Sequence, residues 1–192
     1  SFNTGSFMHE TIDEFFEYVR QEGLSLAELE EEQITKIVFE IIENNLKMSK
    51  NYIFTATAKY KVLVRRLKKI VSKALKYIIE TIIYSDFSIE GTEVEFGKNG
   101  RYKPIVLEIG EGKKVEITGK IDRIDTSKNE DGKYLRIIDY KSSAKNIDLN
   151  EVYAGLQIQL LTYTDAICRE EDIMPAGVFY FSLLEQMVKA DK

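Results

Sequence analysis

Apolar residues in the first half of the chain recur every third or fourth position, which is the spacing of an amphipathic helix. This pattern predicts a first helix from about Gly5 to Glu22 and a second from about Leu26 to Met48. A third and longer helix is predicted from about Ala58 to Tyr84. The N-terminal part of the chain is therefore expected to be helical.

The period changes after Tyr84, where short apolar runs alternate with turn-forming residues. Predicted strands are TEVEFG, PIVLEI, VEITGKIDRID and YLRIIDYK. A helix from about Glu151 to Arg169 follows, and a last strand, AGVFYFSLL, begins after Pro175. Apolar residues occupy both faces of YLRII and VFYFS, as in central strands that helices cover.

These elements predict an α/β fold with a mixed central sheet flanked by helices. We expect a single domain over residues 1–192, with a helical region at 1–85 and an α/β core at 86–192. The length suits one domain, and the 44% hydrophobic content suits an ordinary globular core. Because the chain lacks an initiator Met and stops soon after an apolar strand, we expect it to be a fragment of a longer protein.

Signals for membranes, secretion and disulfides are missing from the sequence. No apolar run approaches the roughly 20 residues of a membrane span, and the first residues do not resemble a secretory signal, so no membrane partner is expected. Cys168 is the only cysteine, which excludes a disulfide within the chain and suits a cytoplasmic location. Its simplest role is that of a small core residue.

The charge is distributed unevenly. A net charge of −5 by itself argues against a nucleic-acid partner. The third predicted helix, however, carries a row of cations: Lys59, Lys61, Arg65, Arg66, Lys68, Lys69, Lys73 and Lys76. Such a row is either a solvated helix exterior or a phosphate-contacting surface. Lys59, Arg65, Arg66 and Lys69 are the candidate DNA-binding residues.

Two aspartates and a lysine on neighbouring predicted strands form the candidate catalytic group. Asp139 and Lys141 are two residues apart, so they share one face of their strand. Asp122 lies on the preceding strand, and a hairpin register that places it beside Asp139 also pairs Ile124 with Ile137. Other registers remain open, since the connecting loop is long.

Carboxylates held this close repel each other, and one takes up a proton unless a cation lies between them. Mg²⁺ or Mn²⁺ is the natural occupant of such an oxygen-lined site. With a lysine beside it, the group suits metal-assisted phosphodiester hydrolysis. The alternative is that these charges only mark strand ends, because Asp-x-Lys alone is a weak motif.

Three further residues stand out by position. His9, the only histidine, lies on the apolar stripe of the first helix and is either a half-buried structural residue or a metal ligand. Gln159 and Tyr163 are four residues apart on the predicted helix before the last strand, and so share a face. From the pattern alone they form an ordinary polar edge.

Four segments in order, GSFMH, GKIDRID, IIDYKSS and QLLTY, resemble the motifs of the RecB-like branch of the PD-(D/E)xK nucleases. Within that branch they are most similar to the C-terminal nuclease domains of the B subunits of AddAB-type ATP-dependent helicase–deoxyribonucleases, which process double-strand breaks for recombination. The resemblance covers nearly the whole chain and implies a restriction-endonuclease-like core.

The resemblance also implies a role for each matching residue. His9, Asp122, Asp139 and the backbone carbonyl of Tyr140 would bind Mg²⁺ or Mn²⁺, and Lys141 would be the catalytic lysine. Gln159 and Tyr163 would support the site and the DNA path. The implied partners are DNA and the A subunit of a heterodimeric helicase–nuclease, with cutting of the 5′-terminated strand.

One departure concerns cysteine. B subunits of this family usually carry an iron–sulfur cluster on four cysteines, one upstream and three downstream of the nuclease core. None of these is present here, and Cys168 does not match one. We expect the 4Fe-4S cluster in the full-length protein, outside this segment. Alternatives are a non-catalytic DNA-binding or scaffolding domain of the same fold, and a CRISPR-associated RecB-like exonuclease.

Overall fold

The computed structural model describes residues 3–48, 58–142 and 149–183. The chain divides into two compact units. The first, the helical unit, holds the described residues up to Ser85 together with Lys141, Ser142, Ser182 and Leu183. The second, the sheet unit, holds Asp86–Tyr140 and most of the later residues up to Phe181.

The helical unit contains α1 (Thr4–Gln21), α2 (Glu31–Met48) and α3 (Ala58–Ile83). The side chain of Asn3 caps α1 by accepting hydrogen bonds from the backbone N–H groups of Gly5 and Ser6. Each helix buries one apolar stripe, with Phe15, Val38 and Leu75 all fully buried. Three helices were predicted here, and the structure confirms them.

The predicted start of the second helix was wrong. Leu26–Glu28 form a short 3₁₀ turn, and the backbone at Leu29 is extended before α2 begins at Glu31. The Gln33 side chain accepts a hydrogen bond from the Glu30 N–H at 2.8 Å, which is one half of a capping box. Because this cap starts a new helix at Glu30, the residues from Leu26 to Leu29 are not part of α2.

In its described residues, the sheet unit contains six strands and one helix. The strands are β1 (Ser88–Phe96), β2 (Ile105–Glu108), β3 (Lys114–Ile117), β4 (Gly119–Asn129), β5 (Gly132–Lys141) and β6 (Met174–Ser182), and α4 (Leu149–Glu171) connects β5 to β6. The main sheet has the order β1-β4-β5-β6, and β2 pairs with β3 in a separate ribbon. Since β1–β4–β5 are antiparallel and a helix connects β5 to its neighbour β6, the sheet is mixed. The predicted α/β class is confirmed.

One predicted strand is two strands in the structure. VEITGKIDRID was expected to be continuous, but Thr118 separates β3 from β4, and the two strands belong to different sheets. β3 pairs with β2, whereas β4 pairs with β1 from Gly119 onward. The segment VEITGKIDRID was predicted as one continuous strand, but its two halves pair with different strands and so form two strands.

The core of the sheet unit joins the main sheet to α4. Ile124, Leu135 and Ile137 from β4 and β5 pack in one buried cluster with Leu160 and Ile167 of α4. This packing fixes the strands that carry the candidate site. Within the described part of the chain, no helix combines the length and apolar character that crossing a membrane requires.

Candidate active site

The register of β4 and β5 places Asp122 and Asp139 at the same end of the strand pair. Ile124 pairs with Ile137, as predicted, and the last pair of the ladder is Arg123 with Ile138. Asp122 and Asp139 are the next residues on the two strands. Both side chains are half-buried, and Asp139 Oδ2 is buried from solvent.

A backbone hydrogen bond fixes the Asp122 carboxylate. Its Oδ2 accepts from the Tyr140 N–H at 2.7 Å, so the Asp122 side chain occupies the place of a backbone acceptor where the ladder ends. Charge-assisted bonds of this kind are short and strong. The Asp122 carboxylate is thereby held beside Tyr140, which lies between Asp139 and Lys141 in the sequence.

A buried ionic network joins the same two strands. Arg123 donates to both carboxylate oxygens of Asp125, at 2.8 and 3.1 Å, and to the Tyr140 hydroxyl at 2.8 Å. Arg136 donates to Asp125 Oδ2 at 2.8 Å, with its guanidinium over the Phe87 ring. Arg123 is 2% exposed and Asp125 is fully buried. Asp125 therefore has two arginine partners, which compensates for the loss of water around it.

The same surroundings keep the Tyr140 hydroxyl neutral. Burial raises the pKa of Tyr140 well above its ordinary value, and the nearby Asp125 carboxylate adds to the shift while Arg123 opposes it. Tyr140 thus remains a neutral hydrogen-bonding residue. Its ring lies edge-on to Phe181, which packs it from a further strand.

Gln159 and Tyr163 lie together on α4, as their spacing predicted. Gln159 Nε2 donates to the Tyr163 hydroxyl at 2.9 Å. Tyr163 is 1% exposed and its ring stacks on Phe96 at 4.3 Å. A β carbon at Gly119, the first residue of β4, would overlap the Tyr163 hydroxyl. Glycine at this position therefore admits the tyrosine near the strand that carries Asp122.

His9 belongs to the helical unit. It is half-buried on α1, and its helical neighbours Ile12 and Phe16 are buried. At the start of the same helix, a β carbon on Gly5 would crowd Ser142 Oγ, so the glycine of GSFMH brings α1 close to the residue after Lys141.

The donor set of the carboxylate pair suits a hard divalent ion. Across residues 3–48, 58–142 and 149–183, no three His, Cys, Asp or Glu side chains are grouped to hold a metal. Mg²⁺ does not require such a cage, because it is commonly bound by one or two carboxylates and keeps water or substrate phosphate as its other ligands. Asp122 and Asp139 fit that pattern.

Part of the predicted cationic row is neutralised. Lys68 and Lys76 of α3 form ion pairs with Glu43 and Glu31 of α2. The candidate DNA-binding residues Arg65, Arg66 and Lys69 are exposed. The fourth candidate, Lys59, has its side chain outside the described part of the chain.

The chain as a whole matches a known family of enzymes. The sequence profile of the PD-(D/E)XK nuclease superfamily matches residues 1–192. The chain belongs to the PD-(D/E)XK nuclease superfamily. Nucleases of this superfamily typically use divalent metal ions, which agrees with the paired carboxylates.

Several curated relatives share one name, that of the B subunit of an ATP-dependent helicase/deoxyribonuclease. The proteins from Clostridium novyi, Ruminiclostridium cellulolyticum and Acetivibrio thermocellus are 41%, 39% and 38% identical over 98%, 97% and 98% of this chain. The chain spans 17% of the length of each. This PD-(D/E)XK domain is thus similar to one segment of much larger proteins.

Sequence reasoning gave no role to Arg123, Asp125 or Gly119, although all three lie in GKIDRID. Their signal was present in the pattern. Arg123 and Asp125 are charges two residues apart among isoleucines, and a strand with apolar residues on both faces must pair any charge that it buries.

Proposed function

We propose that this PD-(D/E)XK domain is the DNA-cleaving part of a helicase–nuclease. It hydrolyses phosphodiesters of single-stranded DNA, on the 5′-terminated strand, during double-strand break repair by recombination. The observation that carries the proposal is the carboxylate pair on β4 and β5, with Asp122 anchored to the Tyr140 N–H at 2.7 Å. The relatives named as deoxyribonuclease subunits support the substrate.

Asp122 and Asp139 would hold Mg²⁺ or Mn²⁺, with the Tyr140 backbone carbonyl and His9 as further ligands. When bound, such an ion polarises the phosphate and lowers the pKa of a water molecule. The proposal that His9 binds the metal rests on the resemblance of GSFMH to the family motif. The proposal that the two carboxylates bind it is supported in addition by the register of β4 and β5.

Lys141 would act on the reacting phosphate. It is half-buried and follows Asp139 by two residues on β5, which gives the two side chains the same strand face. A lysine ammonium there stabilises charge that develops on the phosphate oxygens and orients the attacking water. Lys141 supplies positive charge where the aspartates supply negative charge.

Gln159 and Tyr163 would support the site. Because Tyr163 is buried and bonded to Gln159, its contribution is to fix the start of β4 and the DNA path beside it. Both are therefore proposed as positioning residues for the strand that carries Asp122.

The proposed partners are DNA and the A subunit of a heterodimeric complex. The second follows from the name of the relatives, which describes them as B subunits. An iron–sulfur cluster on cysteines outside this segment, and a cytoplasmic location, remain predictions of the resemblance and of the single cysteine.

A second candidate function is DNA binding without catalysis. It is favoured by one observation: Arg65, Arg66 and Lys69 of α3 are exposed, and cations can contact phosphates whether or not the carboxylates hold a metal. The same mutational experiment separates the two functions, since a scaffold cleaves nothing.

The test is cleavage of labelled single-stranded DNA by the full-length protein assembled with its partner subunit. Asp139→Ala and Lys141→Ala should each lower Mg²⁺-dependent cleavage by about 100-fold or more, because each removes a group that acts on the transition state. Asp131→Ala is the matched control, since Asp131 is exposed in the turn between β4 and β5. Full cleavage by either site variant would overturn the proposal.

A further inference from the structure

A groove runs between α2 and α3 within the helical unit. One part has a volume of about 510 Å³ and a smaller part about 310 Å³, and Phe39 and Lys69 line both. The walls combine apolar groups, such as Leu46 and Val64, with cationic side chains of α3. This α2–α3 groove has no role in the hydrolysis described above.

The groove is strongly cationic. Lys68 and Lys76, which also line it, are paired with glutamates of α2. Lys61, Arg65, Lys69 and Lys73 form no ion pair with a carboxylate in the described residues. An excess of cations along one helix attracts a chain of phosphates.

Phe39 gives the groove a stacking surface. Phe39 is 37% exposed, and the Lys68 ammonium lies 4.8 Å from its ring centroid. Ser72 Oγ, on the wall of the smaller part, is buried and has no hydrogen-bond partner in the described residues. A ligand with both flat rings and polar oxygens satisfies these groups together.

We propose that the α2–α3 groove binds single-stranded DNA, with a base stacked on Phe39 and phosphates at Arg65, Lys69 and Lys73. This inference rests on the proposed function, which it deepens by giving the substrate a second place of contact. Proteins that bind single strands without sequence preference combine a cationic groove with exposed aromatic rings. A protein partner explains the apolar walls but leaves four cations without partners.

The experiment places a photocrosslinker in the groove. Full-length protein with its partner subunit carries Asp139→Asn, which prevents cleavage, and Phe39→p-azidophenylalanine. It is irradiated with a labelled oligodeoxythymidylate. Tyr77→p-azidophenylalanine is the matched control, because Tyr77 is 40% exposed on α3 but does not line the groove. We expect a DNA adduct at position 39 and only background at position 77.

The cationic wall is tested in the same assay. The double variant Arg65→Ala, Lys69→Ala should bind DNA more weakly, measured as the amount of adduct against DNA concentration. The slope of log binding constant against log salt concentration should fall in magnitude by about 1.4, or roughly 0.7 for each lost phosphate contact. Lys36→Ala, an exposed cation of α2 outside the groove, should change neither. These effects do not depend on cleavage.

Two results would overturn the inference: equal DNA adducts at positions 39 and 77, or a crosslink from position 39 to the partner subunit in place of DNA. Failure of the proposed function has a different signature. Cleavage that survives Asp139→Asn contradicts the catalytic assignment whatever position 39 contacts.

Discussion

Tyr140 serves the site through its backbone and the buried network through its side chain. Its N–H binds the Asp122 carboxylate at 2.7 Å, and its hydroxyl accepts from Arg123 at 2.8 Å. The sequence pattern predicted that Asp122, Asp139 and Lys141 form one group, because residues two apart on a strand share a face and neighbouring strands pair. It did not predict Arg123 as a partner of Tyr140, because that bond depends on how a long side chain crosses to the next strand.

Gly119→Ala tests the contact that seats Tyr163. The new methyl group overlaps the Tyr163 hydroxyl, so the free energy of unfolding should fall by about 1–3 kcal/mol. The substitution should cost less in a Tyr163→Phe background, where that hydroxyl is absent. Chemical unfolding of the four proteins of this double-mutant cycle measures the coupling. An equal loss in both backgrounds would refute the contact.

At the scale of elements, β4 and β5 are joined twice: by their ladder and by the Arg123–Asp125–Arg136 network. The register that places Asp122 beside Asp139 predicted the pairing of Ile124 with Ile137, which the ladder confirms, but the long loop left other registers open from the sequence. The breaks at Leu29 and Thr118 were not predictable from periodicity. A capping bond determines the first, and the choice of distant strand partners determines the second.

Arg123→Met tests the network. It leaves Asp125 buried with one arginine fewer, so we expect the free energy of unfolding to fall by roughly 3–5 kcal/mol. Arg20→Met is the matched control, because Arg20 makes the same two-bond contact with Glu17 on an exposed surface, where a much smaller loss is expected. Denaturant unfolding compares the two variants, and equal losses would show that the buried network adds nothing.

At the scale of the whole molecule, the chain is a PD-(D/E)XK nuclease domain that spans 17% of the length of the curated relatives named above. The fold class and the order of the motifs were predictable because apolar periodicity and short motifs are local properties. The α2–α3 groove was not, since the sequence does not show which glutamates of α2 pair with Lys68 and Lys76 of α3. Charge patterns on single helices therefore overstate the free charge.

Mn²⁺ binding tests the central claim, that Asp122 and Asp139 form a metal-dependent catalytic pair. The measurement is isothermal titration calorimetry of the full-length protein without nucleotide. We predict one specific site that Asp122→Asn and Asp139→Asn each abolish, while Asp131→Asn leaves it unchanged. Removing either carboxylate takes away a charged ligand, whereas the turn aspartate is only exposed surface. Unchanged Mn²⁺ binding in either site variant would contradict the account.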